Sequence, residues 1–352
     1  MKRHRTSEAV LAAHVEAGGR IGHSRHAALV TWLVAIVAVA LVATAGVIGW
    51  REYQVIVEAR ALVSQATALL QSAEDDLVIV DEAVRTEVSS EIATSSLEAS
   101  ALVGSVRADA LAAASLIASA LADLPEDEAA HAQALKEGAE ARAEMMLQAP
   151  TILDAGYKAA HSIGLADDAV AEITAAEDLI AQAAAEFNKH TAAGVKQSDA
   201  YTVQAETRLK ASESLLTSAT AAFPEADFSA FTAYVQAKLQ LCTMAKEIDA
   251  LWLSGKIAES NAKLTAYNKR DAEVVAMAKA LPSSVRGPIA DAYESATAEA
   301  RAAYFVAREL AREADARANG AAAGDSVDAT GSVDASTSGD ATPSGATTGT
   351  GR

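Results

Sequence analysis

Residues 51–88 read REYQVIVEARALVSQATALLQSAEDDLVIVDEAVRTEV, and their spacing decides the class of fold. Val55, Ala59, Leu62, Ala66, Leu69, Ala73, Leu77, Val80, Val84 and Val88 step by threes and fours. That step keeps one apolar stripe on one face of an α-helix. A strand would alternate every second residue instead. The stripe weakens at the serine-rich stretch 89–96 (SSEIATSS), where a break is expected. It resumes through Ala99, Val103, Val106, Ala110, Ile117, Leu121 and Leu124.

Upstream, Ala27 to Trp50 (AALVTWLVAIVAVALVATAGVIGW) contains no charged residue. As a helix it would be about 36 Å long, enough for a hydrocarbon layer of about 30 Å. Trp32 and Trp50 fall near its ends, flanked by Arg25 and Arg51, the pattern of membrane-interface anchors. Lys2, Arg3, Arg5, Arg20 and Arg25 against Glu8 and Glu16 give the N-terminal flank +3; the remainder carries −21 of a total of −18. Basic flanks stay on the cytoplasmic side. The expectation is a single-pass cell-membrane protein with a cytoplasmic N-terminus and an extracytoplasmic C-terminal region. The alternative is secretion after cleavage near Ala45, because Ala43-Thr44-Ala45 has the small-residue pattern of a signal-peptidase site.

Downstream, the punctuation is helical throughout. Only seven of the 19 glycines lie between positions 51 and 319, as helix interiors require. Pro125-Glu126-Asp127-Glu128 is an acidic start, and that helix is expected to end before Ala149-Pro150. A looser stretch with Gly156 and Gly164 follows, then helices opened by Asp167, Ser198 and Asp227. Lys256–Ala280 forms another, and the last is expected to stop at Gly320. Alanine makes up about a quarter of the 352 residues, which favours helix and adds little core volume. Of the 15 aromatic residues, 11 fall between Phe187 and Phe305, so compact packing is expected late in the chain.

The sequence therefore predicts an all-α protein. Its parts are a basic cytoplasmic tail (1–26), a transmembrane helix (27–50) and an alanine-rich helical stalk or hairpin (51–150). A connector and helix (151–195), an antiparallel helical bundle (196–319) and a disordered low-complexity tail (320–352) complete it.

Chemistry is sparse. No phosphate-binding loop, dinucleotide fingerprint, HExxH or GxSxG is present. The acidic balance disfavours nucleic acid as a partner. One cysteine rules out a disulfide framework within the chain. His131, His161 and His190 are spread too widely to suggest a metal site, and no cofactor is expected. Glu74-Asp75-Asp76, Glu126-Asp127-Glu128 and Asp167-Asp168 read as solvated helix or turn clusters rather than paired catalytic acids. Cys242, in an apolar helix, reads as a small core residue. The stretch most suited to partner binding surrounds Trp252 at a helix–helix turn, with Tyr267, Asn268 and Arg270 on the next helix.

These features point first to a non-enzymatic, membrane-anchored scaffolding or interaction protein of the bacterial cell envelope. Its partners would be the bilayer through 27–50 and an envelope protein, or a second copy through the stalk. The alternatives are a sensor signalling through its short cytoplasmic tail, and an outer ligand-binding or hydrolase domain in 196–319. A pocket in 196–319 discriminates the last.

Overall fold

The computed structural model describes the backbone of residues 25–327 and the side chains of residues 50–320. Among the described residues every regular element is helical. Seven α-helices follow one another: α1 (Arg25–Arg85), α2 (Ile92–Ala120), α3 (Glu126–Phe187), α4 (Ala192–Ala222), α5 (Ser229–Leu253), α6 (Ile257–Ala280) and α7 (Gly287–Val327). The expected tail segments 1–24 and 328–352 lie outside the described residues, as do the side chains of Arg25 and Trp32.

The chain divides into two units, Met1–Arg60 and Ala61–Arg352. In the first, residues 25–60 are helical. Its described side chains include Trp50 (62% exposed) and Tyr53, whose ring centroids lie 6.3 Å apart. Arg51, Val55 and Val57 beside them are exposed as well.

The second unit is organised by α3, whose 62 residues make a rod of about 93 Å. Its first half packs against α2 and α7 and against the part of α1 beyond Ala61. Its second half packs against α4, with α5 and then α6 layered on. Alanine explains the first set. Ala66, Ala113, Ala114, Ala132 and Ala139 are buried around Ile117, so small side chains let these helices approach closely. Aromatic volume explains the second, where Phe223, Phe228, Phe231 and Tyr234 fill the core.

Polar contacts set the helix directions. Arg142 on α3 donates to both carboxylate oxygens of Asp315 on α7, at 3.1 and 2.9 Å. His131 Nδ1 lies 3.0 Å from the carbonyl oxygen of Ala318, and Gly156 faces Tyr293. Rising numbers on α3 thus meet falling numbers on α7, an antiparallel pair. Asp81 on α1 accepts from Tyr304 Oη (3.1 Å) and Arg308 Nε (2.8 Å) of α7. The Ser162 hydroxyl donates to the carbonyl of Ala219 at 3.0 Å inside the core, and Arg208 pairs with Glu172, making α4 antiparallel to α3.

Several boundaries differ from the sequence expectation. The break after the stripe falls at residues 86–91, at the edge of the serine cluster. The expected loop around 149–166 is helix instead. Pro150 sits on the exposed face, where water can serve the carbonyl it leaves without a partner. Ala149, Ile152 and Leu153 are at most 1% exposed, and their packing outweighs the cost of proline inside a helix, about 3 kcal/mol. Gly156 is a packing point: a Cβ there would meet Ser96 Oγ at 3.4 Å and Ile92 Cδ1 at 3.5 Å. α4 opens at Thr191, not Ser198, with the threonine hydroxyl accepting from Gly194 N at 3.1 Å. α7 continues past Gly320. Residues 287–319, expected to close the late bundle, pack on α3 and on the part of α1 beyond Ala61, so residues distant in the chain share one core.

The 55–88 stripe is buried in part, with Val55 exposed. Ala66, Ala73, Leu77, Val80 and Val84 are buried within the chain's own core.

Gly194 carries a direct test. A Cβ at this position would lie 2.6 Å from the Glu186 carbonyl oxygen. Gly194→Ala is expected to destabilise by about 1–3 kcal/mol through overpacking, despite alanine's better helix propensity. Urea denaturation of the two proteins measures this, and an unchanged midpoint would show that the α3–α4 turn is looser than described.

Among the described residues one helical stretch, Ile92–Asp123, is long and apolar enough by length and composition to cross a membrane. Its face Ala99, Val103, Val106, Ala110, Ala113, Ile117 and Ala120 is buried, and the helix packs along α3. The rest of its surface is open, with Leu97 and Leu111 exposed.

Candidate functional site

Cys242, Ala245 and Asp249 recur at helical spacing on α5, so all three face inward between α3, α4 and α6. There they line a half-open cavity of about 230 Å³. The end of α3 contributes Ile180, Ala183, Ala184 and Phe187, an apolar wall closed by Asn188. α4 adds the hydroxyls of Ser198 and Thr202, and α6 adds Leu264, Tyr267 and Asn268. The chamber is mainly apolar, with a few polar groups contributed by Asn188 and by α4, α5 and α6, the usual character of a small-molecule site.

Asp249 is the unusual member. It is 2% exposed, and its Oδ2 makes no hydrogen bond among the described residues. Burial raises its carboxyl to about 6; a hydrogen bond from Ser198 works against the rise, and the negative charge of Asp199 adds to it. The other titratable groups of the wall stay neutral. Burial and the charge of Glu206 push the Cys242 thiol up to about 11. Burial, then Asp271 and Cys242, push the Tyr267 phenol up to about 12. Cys242 is therefore a protonated, buried thiol at neutral pH, without the thiolate that nucleophilic chemistry needs.

Of the residues expected to bind a partner, Tyr267 and Asn268 meet at this cavity. Arg270 does not join them: it donates to Glu273 at 2.8 Å and to Gln240 Oε1 at 2.9 Å. Trp252 sits half-buried at the end of α5, outside the lining. Asp249 was missed because it stands three residues from the more conspicuous Trp252. Its signal was a charge at an interior position of the Leu241, Cys242, Ala245, Ile248 stripe.

A second concavity, about 540 Å³, lies between α1, α3 and α7. Arg142 pairs here with Asp315 and Arg308 with Asp81, although Arg142 Nε has no partner of its own, so the concavity reads mainly as a structural ion-pair bed. The expected acidic clusters are placed apart from the cavity. Glu126, Asp127 and Glu128 occupy the first turn of α3, where they oppose the helix dipole. Asp167 lies inside α3 and takes Arg286 at 2.6 Å. No group of three His, Cys, Asp or Glu able to hold a metal ion is found among the described residues.

Comparison with protein-family models, with curated proteins and with solved structures finds no match to this chain.

Proposed function

We propose that this chain is a membrane-anchored helical protein that binds a small, largely apolar ligand in the α3–α6 cavity. The single observation that carries the reading is the chamber wall itself: an apolar cavity with a buried carboxyl whose Oδ2 has no partner. Native interiors satisfy most such groups, and of the three described buried atoms without a partner, Arg142 Nε, Ser212 Oγ and Asp249 Oδ2, only the last belongs to a residue lining this cavity.

Anchoring rests on the uncharged run 27–50, its basic N-terminal flank and the exposed Trp50 and Tyr53 at its outer end. With that flank held on the cytoplasmic side, the proposed topology has the N-terminus in the cytoplasm and the helical bundle outside. In a Cys242→Ala background, Ser283→Cys is expected to react with an impermeant maleimide on intact cells, and Ser7→Cys is expected to react only after lysis. The reverse pattern would overturn this topology.

The stripe over 55–88 is largely buried inside the chain, so a scaffolding role would not rest on that face. An interaction role would have to use other surface, such as the exposed Phe305, Val306 and Leu310 of α7.

The ligand reading is tested on the full chain in detergent micelles. 2-Phenylethanol is expected to raise the melting temperature of the wild type, and Ala183→Leu, which narrows the chamber, is expected to reduce the rise. An equal rise in both proteins would place binding elsewhere and overturn the reading.

A further inference from the structure

We propose that the cavity selects a small primary amine carried on a short apolar or aromatic stem, with the ammonium group seated against Asp249. This deepens the ligand-binding reading and rests on it.

The stem is defined by size and lining. An apolar cavity of about 150 Å³ holds a benzene ring, so one of about 230 Å³ takes a ring with a short chain. Ile180, Phe187, Leu241, Ile248 and Leu264 supply the apolar contact.

The head group is defined by what the wall lacks. Asp249 Oδ2 is buried and without a donor among the described residues, and a buried carboxylate is tolerated only when paired. No lining residue is cationic. The groups facing Asp249 can be taken helix by helix. α4 presents Ser198, whose hydroxyl serves the carboxyl, and Asp199, which adds negative charge. α5 itself presents the neutral Cys242, while Lys246, one turn back, is held by Glu206. α6 presents the neutral phenol of Tyr267 and the amide of Asn268. α3 brings no titratable group to the lining. The local balance is therefore negative, and the missing partner is a donor with positive charge. An ammonium placed in the chamber beside Asp249 brings the positive charge that the wall lacks, with donors available to Thr202 or Asn268 oxygens.

The binding should follow the ionisation of Asp249. Above pH 6 the carboxylate attracts the ammonium; at pH 5 most of it is protonated and the attraction falls, although the amine stays charged.

The experiment compares 2-phenylethylamine with its neutral isostere 2-phenylethanol by titration calorimetry, using the full chain in micelles at pH 7.5 and pH 5. The wild type is expected to prefer the amine by about tenfold or more at pH 7.5 and to lose most of that preference at pH 5. Asp249→Asn is expected to remove the preference and retain binding of the alcohol. The pH arm uses the wild-type chain alone, so it stands whatever the fate of the variant. If both ligands bind the wild type equally at pH 7.5, the amine assignment is overturned and the cavity reading survives. If neither binds, the cavity reading itself fails.

Discussion

Tyr304→Ala is expected to cost about 3–5 kcal/mol of folding stability, the range for truncating a fully buried aromatic. The Tyr304 side chain is 0% exposed and belongs to the same core as Val80 and Val84 of α1. Its ring stands edge-on to Phe305 at a centroid distance of 5.7 Å. Its hydroxyl donates to Asp81 Oδ1, and burial together with that carboxylate pushes the phenol pKa upward. Truncation would leave a void between α1 and α7 and withdraw one of the donors of Asp81. Tyr304→Phe keeps the ring and loses only a hydrogen bond to a charged acceptor, so about 1.5–3 kcal/mol is expected. Tyr157, 44% exposed on α3, serves as the control, and its replacement by alanine should change stability by about 0.5 kcal/mol or less. Urea denaturation of the variants measures all of these. A Tyr304→Ala effect as small as that of Tyr157→Ala would mean that α7 does not pack on α1.

Asp249→Asn is expected to act in the opposite direction and to depend on pH. The carboxyl lies at about 6 in the folded chain, against an ordinary value of 3.8, because burial disfavours its charge. Below pH 3.8 it is protonated in both the folded and the unfolded chain, and the residue has no pH-dependent effect. Between 3.8 and 6 the unfolded chain releases the proton first, so stability falls as pH rises. Above 6 the penalty is complete, at about 3 kcal/mol for a shift of this size. Asparagine removes the charge but still buries a polar amide, which offsets part of the gain. The net expectation is a variant more stable than the wild type by about 1–3 kcal/mol at pH 7.5 and indistinguishable from it near pH 3.5. Denaturant titrations at the two pH values give the answer. A variant that is destabilised at pH 7.5 but not near pH 3.5 would show that the carboxylate makes favourable contacts in the fold.

The helical class was legible because a step of threes and fours leaves little other choice over Val55–Val88. The starts at Glu126 and Ile257 and the turn at Gly255, where φ is +77°, were legible from local chemistry as well. What sequence reasoning missed depends on distant partners. Pro150 and Gly156 are ordinarily signs of a helix end. Both lie inside α3, because one faces solvent and the other meets Ser96 and Ile92 from α2. The placement of α7 on α1 depends on Asp81 meeting Arg308 and on Asp315 meeting Arg142, pairs separated by well over a hundred residues. No periodic pattern records such pairing.

The site was legible in part for the same reason. Tyr267 and Asn268 stood out as polar groups next to a prominent tryptophan, and both line the cavity. Asp249 was hidden among many carboxylates, since 47 acidic residues make any one of them inconspicuous. Only its register with Cys242 and Ala245 set it apart, and that register becomes meaningful once α3, α4 and α6 enclose it.

The central claim is that α3 to α6 hold a buried acid in a chamber that lacks a partner for it. Its most direct test is the ionisation of that one side chain. The full chain, labelled with carboxyl-¹³C aspartate and held in detergent micelles, would be titrated by NMR, with Asp249→Asn assigning the resonance. The account predicts a midpoint about 6 for Asp249. A midpoint near 3.8 would contradict it, because the carboxylate would then be hydrated or already paired.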